Sequence, residues 1–89
     1  MEVRVRAARV AQWRRARGLT QRELARLLGV TQNYVPALES GTRDPGPKLR
    51  GPLMSILGAD FWELFDVMLV EPDGTEILLQ PRAGRPPQR

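Results

Sequence analysis

The chain has 89 residues, enough for one small domain with a single core. It contains no Cys and no His, so disulfides, thiolate metal sites and imidazole acid–base chemistry are excluded. The net charge of +4 is unevenly spread: residues 1–50 hold eleven Lys/Arg against four Asp/Glu, residues 51–79 hold six acids and no base, and the last ten residues hold three Arg.

The first element read from the pattern is a helix from about Arg4 to Arg17, with Val10, Trp13 and Ala16 at helical spacing and Gly18 as its stop. Thr20 then caps a second helix, and Glu23 stands where a capping-box carboxylate reaches back to the Thr20 amide. Such a cap contributes about 1 kcal/mol. Leu24, Ala25, Leu27 and Leu28 supply its buried side, and Gly29 ends it. After Val30, Thr31 is expected to cap a third helix that turns Val35 and Leu38 inward with Thr31. Asn33, Pro36, Ala37 and Ser40 point the other way, with Gln32 at the edge, and Gly41 closes the helix. Two short helices around one tight glycine turn, the second with a polar free face, form a helix-turn-helix pattern, a unit that presents its second helix to the DNA major groove.

A loop from Thr42 to Gly46 leads to a fourth helix with Pro47 at its first position. Its core candidates are Leu49, Leu53, Ile56 and Leu57, and Pro52 is expected to kink or restart it. Asp60 caps a short fifth helix with Glu63 in the box position, and Phe61, Leu64 and Phe65 face the core. The period then changes. Val67–Val70 and Thr75–Leu79 read as two strands joined by the turn Glu71-Pro72-Asp73-Gly74, a two-stranded hairpin. Residues 80–89 read as a disordered tail. No apolar leader is seen near the N-terminus. The most apolar span, Pro52–Val70, carries Asp60, Glu63 and Asp66, so no membrane segment is expected and a cytoplasmic location is.

The segments WRRARGLTQRELARLLGVTQNYV, LESGTRDP and LGADFWELF resemble the lambda-repressor-like, Cro-type helix-turn-helix domains, also called the xenobiotic-response-element type. The resemblance runs ungapped from about Val10 to Phe65. It implies a mainly α fold, a five-helix DNA-binding domain over residues 1–66. The hairpin over 67–79 lies outside the family core. Its apolar edges invite another strand, which makes it a candidate dimerisation element ahead of the tail over 80–89.

The resemblance also assigns roles. Gln21, the residue after the second helix's cap, corresponds to a position that reads or braces a base or phosphate. Gln32, Asn33 and Tyr34 fall in the first turn of the recognition helix, which starts near Gln32. Gln and Asn amides can pair bidentately with adenine, and a Tyr hydroxyl can donate to phosphate or sugar. Ala37 suits a thymine methyl, and Ser40 lies on the same face. Arg43 and Lys48 are phosphate contacts. Glu39 ties the third helix back to a first-helix arginine, here Arg14. Two departures stand out: Pro36 and Ala37 replace polar or basic residues on the reading face, and Gly51-Pro52 interrupts a helix that is unbroken in the family.

The reading is a DNA-binding transcriptional regulator, phage-repressor or antitoxin-like, acting on double-stranded DNA as a homodimer, with the hairpin also available to a protein partner. The competing reading is a protein-interaction adaptor that keeps the fold without reading DNA. An enzyme is not expected. Asp60, Glu63 and Asp66 are the one carboxylate cluster, at the spacing of a capped, solvated helix, and no catalytic residue, cofactor or metal site is assigned.

Overall fold

The computed structural model describes residues 1–79, so the expected tail at 80–89 lies outside the described residues. The element order is β1 (Glu2–Arg6), α1 (Val10–Ala16), α2 (Gln21–Leu28), α3 (Tyr34–Ser40), α4 (Pro47–Leu57), α5 (Phe61–Leu64), β2 (Asp66–Val70) and β3 (Glu76–Leu79). The five helices are those expected, but the sheet is not a two-stranded hairpin. It has three antiparallel strands in the order β1-β2-β3. Arg4, Val5 and Arg6, expected at the start of the first helix, belong instead to the strand Glu2–Arg6. In sequence it alternates charged and apolar residues, Glu-Val-Arg-Val-Arg, which is the period of a strand. β1 pairs with β2 from Glu2 opposite Val70 to Arg6 opposite Asp66. A lone hairpin is marginal, and the third strand from the same chain supplies the missing pairing. The fold is therefore five helices with a three-stranded antiparallel sheet in place of the expected hairpin.

The core collects one apolar stripe from each helix. Val10, Leu24, Val35, Leu38, Leu53, Leu57, Leu64 and Phe65 are essentially inaccessible. Ala25 of α2 is small and buried in the same core. Leu27, expected inside, is 57% exposed. The buried stripe of α2 is Leu24, Ala25 and Leu28, and Leu27 lies at its far edge, outside the core.

Both capping boxes form. Thr20 Oγ1 accepts from the Glu23 amide at 3.0 Å, and Glu23 returns a carboxylate oxygen to the Thr20 amide at 2.8 Å. These bonds, the Thr20 amide first, hold the Glu23 carboxyl below its ordinary pKa. A lowered carboxyl pKa stabilises the folded state above the ordinary carboxylate range, and that support is lost as pH falls through the folded value. Asp60 and Glu63 repeat the arrangement at the start of α5, at 3.1 and 2.9 Å. Gly29 ends α2 in the left-handed region at φ 75, the sharp turn that points α3 across α2.

α3 starts at Tyr34 and not near Gln32. Pro36 has no amide to donate to the Gln32 carbonyl, so the α-helical ladder cannot begin there. Instead the Tyr34 amide bonds the Thr31 carbonyl at 3.1 Å in a tighter turn, and Thr31 is exposed rather than an inward cap. Asn33 occupies the cap position without a side-chain cap bond. Pro36 thus sits in the first turn of α3, where a missing amide costs little.

α4 is a continuous helix from Pro47 to Leu57, with Pro52 inside it, so the expected restart does not occur. Gly51 and Pro52 both face solvent, where water can satisfy the Lys48 carbonyl that Pro52 leaves without a donor. Pro52→Ala is therefore expected to restore one helical bond and to stabilise the domain by about 1–2 kcal/mol after the loss of proline's unfolded-state benefit. Thermal unfolding checks this: the midpoint should rise by roughly 5–10 °C, and an unchanged midpoint would mean that α4 already absorbs the ring without strain.

Candidate nucleic-acid interface

α2, the Gly29 turn and α3 form the helix-turn-helix, and a buried polar network fixes the angle between its helices and α1. Arg14 of α1 is 7% exposed. Its Nε and Nη2 donate to the two carboxylate oxygens of Glu39 on α3 at 2.6 and 3.2 Å, and its Nη1 donates to the Leu19 carbonyl at 2.8 Å. The expected Arg14–Glu39 tie is present, and it is a two-pronged one. Gln21, at the first position of α2, joins it: its amide Nε2 donates to Glu39 Oε1 at 2.9 Å. Arg14, Gln21 and Glu39 thus bind α1, α2 and α3 at one point.

The other expected site residues lie in the turn before α3, on α3, in the loop after it and, for Lys48, in the first turn of α4. Gln32 and Asn33 are exposed in the turn that precedes α3. Tyr34 begins the helix, and the Arg43 guanidinium lies over its ring at 5.3 Å from the centroid. The Arg43 amide bonds the Ala37 carbonyl at 3.1 Å, which folds the loop back onto α3. Tyr34, Arg43 and Lys48 line one shallow hollow with Asp44, Gly46 and Pro47, so these three expected residues are brought together. Ala37 is half-buried. The Ser40 hydroxyl is within 2.8 Å of Thr42 Oγ1 and 3.2 Å of the Ala37 carbonyl, so it serves the end of α3 as well as facing outward.

The electrostatics here are more selective than the count of arginines. Arg4, Arg6 and Arg9 pair with Asp44, Glu76 and Asp66, and Arg14 pairs with Glu39. Arg9 also donates to the carbonyls of Trp62, Glu63 and Phe65 at 2.9–3.0 Å, a cation at the C-terminal end of α5. Arg17 and Arg50 donate to the Leu57 and Pro45 carbonyls. Arg15, Arg22, Arg26, Arg43 and Lys48 make no ion pair among the described residues, and all five are exposed. Arg22 and Arg26 of α2 were not among the expected site residues; their i, i+4 spacing on one helix face was the available signal.

Two acids lie among these elements, and arginines hold both. Glu39 is enclosed by Arg14, and Asp44, in the loop beside Arg43, is bonded to Arg4 Nε of β1 at 2.9 Å. That bond holds the Arg4 guanidinium above its ordinary pKa. Farther off, Asp60 and Glu63 close the α5 cap, and Asp66 pairs with Arg9.

A helix-turn-helix family model, HTH_3, matches residues 10–49. These residues run from the start of α1 into α4 and contain the whole Arg14–Gln21–Glu39 network. The chain is also 34% identical over 67 residues to a protein of Methanothermobacter thermautotrophicus described as an uncharacterized HTH-type transcriptional regulator. That alignment covers 75% of this chain and 94% of the relative.

Proposed function

Because this chain belongs to the lambda-repressor/Cro-like helix-turn-helix family, we propose that it is a DNA-binding transcriptional regulator of the phage-repressor or antitoxin kind. In this reading α3 enters the major groove, and two copies act together on a palindromic site. Gln21, Gln32, Asn33, Tyr34, Ala37 and Ser40 meet bases or the adjoining backbone, and Arg43 and Lys48 contact phosphates. The observation that carries the reading is the charge arrangement around α3. Glu39 and Asp44 are neutralised from behind by Arg14 and Arg4, while Arg22, Arg26, Arg43 and Lys48 keep their charge toward solvent. A surface that holds its acids in internal pairs and leaves its cations free suits a polyanion.

The protein acts as a binding module and not as an enzyme in this reading, in the cytoplasm where its DNA lies. No helix among the described residues is long and apolar enough to cross a membrane.

Selection of bound duplexes from a random pool, followed by a salt titration on the winner, tests the proposal. With four cations on phosphates, each copy should lose roughly a hundredfold in affinity between 50 and 200 mM salt. A palindromic consensus is expected. Affinity that stays flat with salt, or a pool that yields no enrichment, would favour the adaptor reading instead.

A further inference from the structure

Asp44 places a carboxylate where the DNA-binding reading calls for cations. It lines the same shallow hollow as Tyr34, Arg43 and Lys48, and the last two are the proposed phosphate contacts. A carboxylate beside a bound phosphate repels it. Asp44 Oδ2 accepts from Arg4 Nε of β1 at 2.9 Å, while its Oδ1 is shielded and has no hydrogen-bond partner among the described residues. Arg4 is thus the one cationic side chain paired with this acid among the described residues. The loop does not depend on that bond for its path. The Arg43 amide bonds the Ala37 carbonyl, Pro45 is wholly buried, and Arg50 donates to the Pro45 carbonyl at 3.2 Å. Arg4 also lies 3.9 Å from Glu76 of β3, which Arg6 approaches at 3.4 Å. Asp44, Arg4, Glu76 and Arg6 form a row of alternating charges that sums to zero and ends in the hollow.

We propose that Arg4 is a positioning residue for DNA binding: it touches no DNA, and it sets the affinity by holding and neutralising the Asp44 carboxylate beside the bound phosphate. The inference rests on the DNA-binding reading above and adds β1 to the machinery of that site. Arg4 lies outside the residues that the family model matches, so the helix-turn-helix itself does not supply the role. Removing the arginine's charge returns a full negative charge to the hollow. With a phosphate a few ångströms away, and with water and salt screening the pair, the loss is roughly tenfold in affinity. It falls on all duplexes alike, because phosphate contacts carry no sequence information. Folding stability should change little, because the two side chains, 30% and 28% exposed, can both turn to water.

Fluorescence anisotropy of the full chain with the duplex obtained by selection and with random duplex, from about 50 to 200 mM salt, tests this. Arg4→Met keeps an apolar stem and should bind both duplexes roughly tenfold more weakly. Asp44→Asn removes the acid and should bind at least as tightly as the wild type. The double variant has the wild-type net charge and should recover the wild-type affinity and salt slope. A scaffold role predicts otherwise: Asp44→Asn would weaken binding as Arg4→Met does, and the double variant would stay weak. That result overturns the inference. So does a double variant that stays weak with a slope lower by about one, the mark of an arginine that itself contacts phosphate. Should Arg4→Met fail to fold by circular dichroism, Asp44→Asn alone decides: affinity at or above the wild type supports the role, and a loss refutes it. The DNA reading fails separately. A wild type with no affinity for any duplex sinks that reading and the role of Arg4 with it. A wild type that binds with the expected salt slope, beside an Arg4→Met variant that binds equally well, overturns the role of Arg4 alone.

Discussion

Glu39→Ala is expected to cost about 3–5 kcal/mol of folding stability. The pair that it breaks is almost wholly shielded, with the Arg14 and Glu39 side chains 9% and 8% exposed. Removing the carboxylate leaves the guanidinium with the Leu19 carbonyl as its one remaining acceptor and strips the Gln21 amide of its partner. The cost is mainly that of a charge left buried and unpaired, not the net value of the pair. Two further variants separate these terms. Glu39→Gln keeps an acceptor and should lose less. Arg14→Leu with Glu39→Leu removes both charges and should lie closer to the wild type than Glu39→Ala does. Urea denaturation followed by circular dichroism measures all three. A loss below about 1 kcal/mol for Glu39→Ala would mean that water reaches Arg14 and solvates it.

The Arg14–Glu39 tie was legible only through the resemblance to the family, whereas the helix-turn-helix frame around it was legible in local signals. The Thr20–Glu23 box, the Gly29 turn and the Val35/Leu38 spacing each follow from chemistry within a few residues, and they agree with one another. The failures share a different cause. Glu2–Arg6 carries a strand's alternation, but its partner, β2, begins sixty residues later, and a helix reading that starts at Arg4 takes in the strand's second half. Pairing over that distance leaves little local trace. The restart offered as one outcome at Pro52 followed from intrinsic cost alone, whereas Leu53 and Leu57, buried in the core, hold α4 together through it. Arg4 and Asp44 could not be matched from sequence for the same reason as β1, and with them went the neutralisation of the one acid beside Arg43.

Pro36 connects this lesson to recognition. On the proposed reading, base discrimination rests on Gln32 and Asn33, because Pro36 and Ala37 leave the next turn of α3 with no side-chain donor. Each well-formed bidentate amide–adenine pair contributes about 1–3 kcal/mol of discrimination. Gln32→Ala with Asn33→Ala should therefore reduce the ratio of specific to non-specific affinity at least tenfold, with little change in the salt slope. Arg43→Ala and Lys48→Ala should do the reverse, weakening all duplexes alike and lowering the salt slope by about one each. Competition binding of the selected site against random duplex, at two salt concentrations, reads both quantities together. Equal losses on both kinds of DNA for the amide variants would move base reading away from this turn and toward DNA shape. Pro36→Ala sharpens the test. It returns an amide that can bond the Gln32 carbonyl, and so draws Gln32 and Asn33 into α3. Stability should change by less than about 1 kcal/mol, since the new bond and the lost proline rigidity oppose each other. The preferred sequence should nonetheless shift, because the two amides would leave the turn and project from a regular helix. An unchanged preference would show that they read DNA from the turn as it stands, or do not read it at all, and the amide variants separate those two cases.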